Sequence, residues 1–136
     1  MIGVAIPAGF EARVLRDEPM SRHTSWHVGG PADAWFTPAN PDELSGFLRE
    51  LPPGVPVTWV GLGSNLLVRD GGIRGVVISL HGMLNALERV GDLMVRAEAG
   101  VACARLGRQC ARWQLGPADF FAGIPGTVGG ALAMNA

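Results

Sequence analysis

Glycine placement constrains this chain more than any other feature. Twenty of its 136 residues are glycine, roughly twice the usual share, yet they form no low-complexity tract. They gather at Gly29-Gly30, at Gly61 and Gly63, at Gly71, Gly72 and Gly75, and at Gly123, Gly126, Gly129 and Gly130. Without a Cβ, glycine adopts left-handed backbone and lets another group approach the peptide closely. The pattern predicts several tight turns, or backbone laid against a ligand.

Regular elements lie between these clusters. Residues 1–20 read as a loose arm or an edge strand. Ala34-Trp35-Phe36 reads as a short strand. Asn40 is placed as an N-cap, with Pro41 at the first helical position and Asp42 and Glu43 in the first turn. Leu44, Phe47, Leu48 and Leu51 then follow helical spacing until Pro52-Pro53-Gly54. Val57 to Val60 reads as a strand leading into Gly61, Leu66 to Val68 as renewed extended chain, and Gly75 to Leu80 as a buried strand. Leu93 to Ala99 alternates as a strand does. Ala102 to Gln114 reads as a helix with Leu106, Cys110 and Trp113 on one face and Gly116 as its C-cap. A turn at Pro125-Gly126 and a short helix after Thr127 complete the chain. Strands and helices mix without a strict βαβ rhythm, so the class is α+β.

Composition excludes several functions. The formal net charge is −1, which offers no general attraction to nucleic acid or anionic membranes. All eleven basic residues are arginine, so no lysine is present for a Schiff base or a phosphate loop. Any phosphate must be held by backbone N–H groups or arginine. Met1 to Phe10 is apolar but short and lacks a basic start, a poor signal peptide. No apolar run reaches the ~18 residues of a membrane span. Cys103 and Cys110 face one side of their helix, about 10 Å apart, too far for a disulfide. They read as buried thiols.

Two segments carry the chemistry. Gly61-Leu62-Gly63-Ser64-Asn65 joins two strands, and its successive N–H groups can point into one concavity sized for a pyrophosphate. Ser64 and Asn65 add donors at its rim, and Gly63 should leave room for phosphate oxygens. The plain alternative is a tight turn. The loop is not the Rossmann fingerprint, because Leu66 stands where the third glycine belongs, and no Gly-Lys-Ser/Thr follows it. In Gly123-Ile124-Pro125-Gly126-Thr127-Val128-Gly129-Gly130-Ala131, Pro125 and Gly126 suit a type II turn. Thr127 should cap a helical turn and leave its first N–H groups free for a phosphate or ring carbonyl. Gly129 and Gly130 would let a flat ring lie on bare backbone. The alternative is a helix entry that needs small residues for packing.

Elsewhere the sequence is quiet. His23 and His27 have no cysteine or carboxylate to complete a metal set, and His81 ends a strand. The carboxylates do not pair for acid–base work. No serine has a base partner, and no catalytic residue is assigned.

The two glycine loops, in this order, resemble the UDP-N-acetylenolpyruvoylglucosamine reductase family (UDP-N-acetylmuramate dehydrogenase, MurB). The match runs through His23-Thr24-Ser25-Trp26-His27-Val28-Gly29-Gly30 and Gly61 to Val68, then Asp70 to Ile78. It ends with Ala122 to Ala131 and Met134-Asn135-Ala136. The resemblance implies the FAD-binding module of the vanillyl-alcohol-oxidase-like flavoproteins, two small α+β lobes with FAD between them. Gly61, Leu62, Gly63, Ser64, Asn65, Leu66 and Leu67 would wrap the FAD pyrophosphate. Gly123, Ile124, Pro125, Gly126, Thr127, Gly129, Gly130, Ala131 and Asn135 would line the flavin and adenine side. In that family NADPH reduces the flavin, which reduces UDP-N-acetylglucosamine enolpyruvate to UDP-N-acetylmuramate for peptidoglycan synthesis. A cytoplasmic monomer is implied, without nucleic acid or membrane as partner. The expected organisation is an arm over 1–20 and an FAD-binding domain over 21–136. That domain would be incomplete at its C-terminal end, with the family's catalytic groups and substrate-binding domain lying beyond Ala136.

Two other readings stay open. One is a flavin oxidase or dehydrogenase of the same fold. Such enzymes often tether FAD through a histidine near the first glycine loop, and no histidine lies between His27 and His81. The other is a non-catalytic interaction domain whose glycines serve packing alone.

Overall fold

In the computed structural model, which describes residues 3–136, the strand signals of the first half assemble into one mixed four-stranded sheet. Strands β1 (Val14–Pro19), β2 (Pro31–Phe36), β3 (Val57–Val60) and β4 (Ile73–Ser79) lie in the order β1-β2-β4-β3. β1 runs antiparallel to β2, whereas β2, β4 and β3 are parallel. Residues 14–19 thus adopt the edge-strand alternative for the first twenty residues. Met1 and Ile2 of that expected arm lie outside the described residues.

The parallel strands β2 and β3, which flank β4, need a crossover between them, and α1 (Pro41–Glu50) supplies it. Asn40 caps this helix as its sequence requires, its side chain accepting from the Glu43 N–H at 2.8 Å. Phe47 is fully buried and stacks on Phe36, ring centres 3.9 Å apart. Burying such a side chain contributes roughly 1.5–3 kcal/mol. With Ala34, Val76 and Ile78 these rings form the core on one face of the sheet. Met20, Ala32, Trp35, Val60, Val68 and Val77 form the core on the other. Because β4 is covered on both faces, it reads as a nearly continuous apolar run.

Leu66 to Val68 form no strand. Their apolar character serves the core directly: Val68 is buried, and Leu66 packs against the Met20–Trp35 cluster. Packing and ladder formation ask for the same side chains, so the segment looks like a strand.

The chain divides into two compact units, Met1–Met83 and Leu84–Ala136. In the second, β5 (Leu87–Val90) pairs antiparallel with β6 (Met94–Ala97). β5 was not anticipated, since its Leu-Glu-Arg-Val pattern is short and mostly exposed. Helix α2 (Cys103–Arg112) and helix α3 (Val128–Met134) follow. Val101, Leu106 and Cys110 centre the core, with Leu87, Val95, Phe121 and Val128 against them.

Gly116 is not the cap of α2. Gln114 takes the left-handed conformation instead, at φ 57°, and the Leu115 N–H closes back onto the Cys110 carbonyl at 2.9 Å. This is the bond of a Schellman ending, formed two residues early without glycine. Cys103 and Cys110 are buried free thiols. Burial pushes the Cys103 thiol up from its ordinary value, against a smaller lowering by a backbone hydrogen bond.

Candidate functional site

The first glycine loop begins where β3 ends. The carboxyl ends of parallel strands are where open sheets offer a crevice to ligands. A cavity of about 610 Å³ opens there, within the first unit. Its wall includes Trp35 and Thr37 from the end of β2, Gly61 and Leu62 after β3, Ser79 at the end of β4 and His81 beyond it, and residues 22–25 and 27.

The segment from 22 to 28 is held in three ways. The Ser25 N–H donates to the Gly63 carbonyl at 3.1 Å. The Thr24 hydroxyl donates to the Val28 carbonyl at 2.9 Å. His23 stacks on Trp35, ring centres 3.7 Å apart, and its Nε2 lies 2.9 Å from Oε1 of Glu18. Glu18 is itself buried, and Arg22 approaches the same carboxylate oxygen at 3.6 Å. A buried carboxylate is tolerated only when charge and hydrogen-bond partners compensate it.

Gly63 sits at φ 68°, and a Cβ added to it would overlap the carbonyl oxygen of His23. This corrects the expectation from sequence. The space that Gly63 leaves open is filled by the chain's own backbone, and the loop needs glycine there to fold. The donors are nonetheless present. Among the described residues, the peptide N–H groups of Gly61 to Asn65 and of Leu67 donate to no protein acceptor, while Ser64 and Asn65 form a turn that brings the Leu66 N–H toward the Gly63 carbonyl. Gly63 is buried, Gly61, Ser64 and Leu66 are half-buried, and Leu62, Asn65 and Leu67 are exposed. A run of unpaired amides beside a cavity is chemistry that suits an anion, and buried amides seldom stay unpaired. FAD, whose charge is its diphosphate, fits this donor set.

The second set, Gly123 to Asn135, lies in the second unit. Gly123 ends a short helical turn, Asp119–Gly123. Gly126 has φ 96°, as the second central position of a type II turn demands. Its carbonyl accepts from the Cys103 N–H at 3.0 Å. Thr127 caps α3, accepting from the Gly130 N–H at 3.2 Å.

The expectation of free N–H groups at that helix start is corrected. Val128 donates to the Val101 carbonyl at 2.8 Å and Gly129 to the Ala99 carbonyl at 2.9 Å, so the first amides are already spent. Gly129 is a packing glycine, because a Cβ there would lie 2.9 Å from that of Ala99. Gly130 differs: it is exposed, and an added Cβ would meet only Thr127 Oγ1, at 3.4 Å. Pro125 is exposed, Ile124 and Ala131 are half-buried, and Asn135 is an exposed left-handed residue at φ 53° ending α3.

Sequence reasoning missed the cavity wall outside the loop: Arg22, His23, Thr24, Ser25, His27, Trp35, Thr37, Ser79 and His81. Chain distance set the histidines apart from the glycine loop. The fold brings all three to one wall with Gly61 and Leu62. The signal was the His23–Gly30 motif, to which no role had been given.

Comparison with known proteins agrees with this geometry. The chain is 62% identical over 117 residues to the UDP-N-acetylenolpyruvoylglucosamine reductase of Nitrosococcus oceani, covering 86% of this chain and 39% of that protein. It is 60% identical over 119 residues to the enzyme of that name from Alkalilimnicola ehrlichii, covering 88% and 40%. The chain therefore spans about two fifths of the length of these relatives. The crystal structure of UDP-N-acetylenolpyruvylglucosamine reductase (MurB) from Thermus caldophilus superposes with a TM-score of 0.67 at 31% identity, covering 91% of this chain and 42% of that one. The FAD binding domain family matches residues 32–136, and the chain belongs to that family.

Proposed function

We propose that this chain is the FAD-holding part of a UDP-N-acetylenolpyruvoylglucosamine reductase. One observation carries the reading: in a chain of an FAD binding family, the amides of Gly61 to Asn65 have no protein acceptor among the described residues, and their loop forms part of a cavity wall at the carboxyl ends of three parallel strands. Likeness of more than 60% to a reductase of that name supports the choice of enzyme. The whole enzyme would reduce UDP-N-acetylglucosamine enolpyruvate to UDP-N-acetylmuramate with NADPH, as a cytoplasmic monomer serving peptidoglycan synthesis, cell shape and division.

The cofactor, when bound, supplies the two-electron redox chemistry. The chain binds and orients it. Amides of Gly61, Leu62, Gly63, Ser64, Asn65, Leu66 and Leu67 take the diphosphate, and Ser64 and Asn65 add side-chain donors. Gly123, Ile124, Pro125, Gly130, Ala131 and Asn135 present backbone and small side chains to the ring systems. Gly126, Thr127 and Gly129 hold that segment in shape. No residue here is assigned a proton or hydride step.

Calorimetric titration of the chain with FAD tests the reading. Saturable one-to-one binding, with visible flavin absorbance surviving gel filtration, is expected. A chain that stays colourless and takes up no FAD would overturn it.

A further inference from the structure

The histidines and one arginine of the first unit converge on a feature the glycine loop does not explain. The chain has three histidines, and all three line the cavity beside Gly61 and Leu62, together with Arg22. They come from two distant places, the 22–27 segment and the end of β4. The side chains of His27 and His81 are exposed and have no hydrogen-bond partner among the described residues. His23 differs: its Nε2 is committed to Glu18. The Glu18 carboxylate is turned to Arg22 and His23. The open part of the wall therefore carries two unpartnered imidazoles beside Arg22, which shares the Glu18 carboxylate, with no carboxylate among its lining residues.

We infer that His27, His81 and Arg22 form a side-chain clamp on the phosphates of the dinucleotide, completing from one side the grip that the Gly61–Leu67 amides make from the other. This rests on the FAD reading above and extends it. Neutral amides supply partial charges, whereas a diphosphate carries full negative charge, and hydrogen bonds to charged groups are the stronger ones. In a chain without lysine, arginine supplies the full charge, and imidazole N–H groups supply further donors to the charged oxygens. The Ser25–Gly63 bond couples the clamp to the loop, so the two halves hold a fixed spacing. His27 has φ 55°, left-handed backbone that histidine, like asparagine and aspartate, adopts more readily than most residues with a side chain.

The test titrates the wild-type chain and a His27→Asn/His81→Asn double variant with FAD, ADP, inorganic pyrophosphate and riboflavin, following heat and tryptophan fluorescence. Asparagine tolerates the left-handed backbone at 27 and so protects the fold, which a thermal melt verifies. The double variant should bind FAD, ADP and pyrophosphate about tenfold more weakly, the loss of one charged hydrogen bond, with riboflavin unaffected. Arg22→Gln should act in the same direction. Arg49→Gln, on exposed α1 surface, is the control for general charge attraction and should change nothing. Equal affinity of wild type and double variant for pyrophosphate and FAD would overturn the clamp while leaving the FAD reading intact. So would an equal loss in the Arg49→Gln control. A folded wild-type chain that binds neither FAD nor pyrophosphate would overturn both.

Discussion

The backbone N–H of Ser25 donates to the carbonyl oxygen of Gly63 at 3.1 Å, locking the histidine segment to the glycine loop by main chain alone. Gly63 must be glycine for this bond to form, since a Cβ would overlap the His23 carbonyl and φ is 68°. Gly63→Val should therefore abolish FAD retention and also lower the melting temperature, by at least about 5 °C. Left-handed backbone alone costs about 1–2 kcal/mol, and the overlap adds to it. A Gly63→Val chain that melts like wild type would show that the loop has room to spare.

The glycines of α3 should separate by role. Gly129→Ala places its Cβ against Ala99 and should destabilise the second unit by about 1–3 kcal/mol, through overpacking. Gly130→Ala has room and should leave the melting temperature unchanged. If it weakens FAD binding at the same time, the bare backbone at 130 belongs to the ligand face. Urea unfolding of both variants beside FAD titration separates the two effects.

Glu18 anchors two cavity-wall residues from a buried position. Replacing it with alanine strips His23 of its partner and should cost about 1–3 kcal/mol, the price of a half-buried donor left unmade. Loss of the Arg22 contact adds little, because that side chain is largely exposed. Chemical denaturation gives the stability. An unchanged midpoint would mean that water replaces the carboxylate without penalty.

Burial raises the Cys103 thiol, and the sign of its effect on stability follows. The folded state favours the neutral thiol. Its contribution is fully present below the unfolded thiol's value and is lost as pH rises from there toward the folded value. Stability should fall on the alkaline side of the ordinary thiol range, and Cys103→Ala should flatten that fall. In the native chain near neutral pH, neither cysteine should react readily with a thiol reagent, while both should react in denaturant. Rapid labelling of the native chain would contradict the buried setting.

Much of the fold was legible because the signals were local. The Asn40 cap, Pro41 and the spacing of Leu44, Phe47 and Leu51 determine α1 whatever surrounds them, since capping and amphipathic spacing act within a few turns. The Pro125-Gly126 turn and the Thr127 cap were legible for the same reason. Leu66 to Val68 misled because apolar side chains serve a core and a ladder equally. Gly116 misled because Gln114 accepted the left-handed conformation two residues earlier.

By itself the sequence determined the α+β class, the main helices, the places of several strands, and two glycine segments in an order that resembles one flavoenzyme family. Only the tertiary structure decided what those glycines face. Gly63 looks onto the His23 carbonyl and Gly129 onto Ala99, and the amides ahead of α3 are taken by Ala99 and Val101. It also decided that His23, His27 and His81 meet at one cavity. The physical reason is that a missing Cβ records only that something comes close. Whether that is a ligand or the chain itself depends on contacts between residues dozens of positions apart, such as His23 with Gly63 in the first unit and Ala99 with Gly129 in the second.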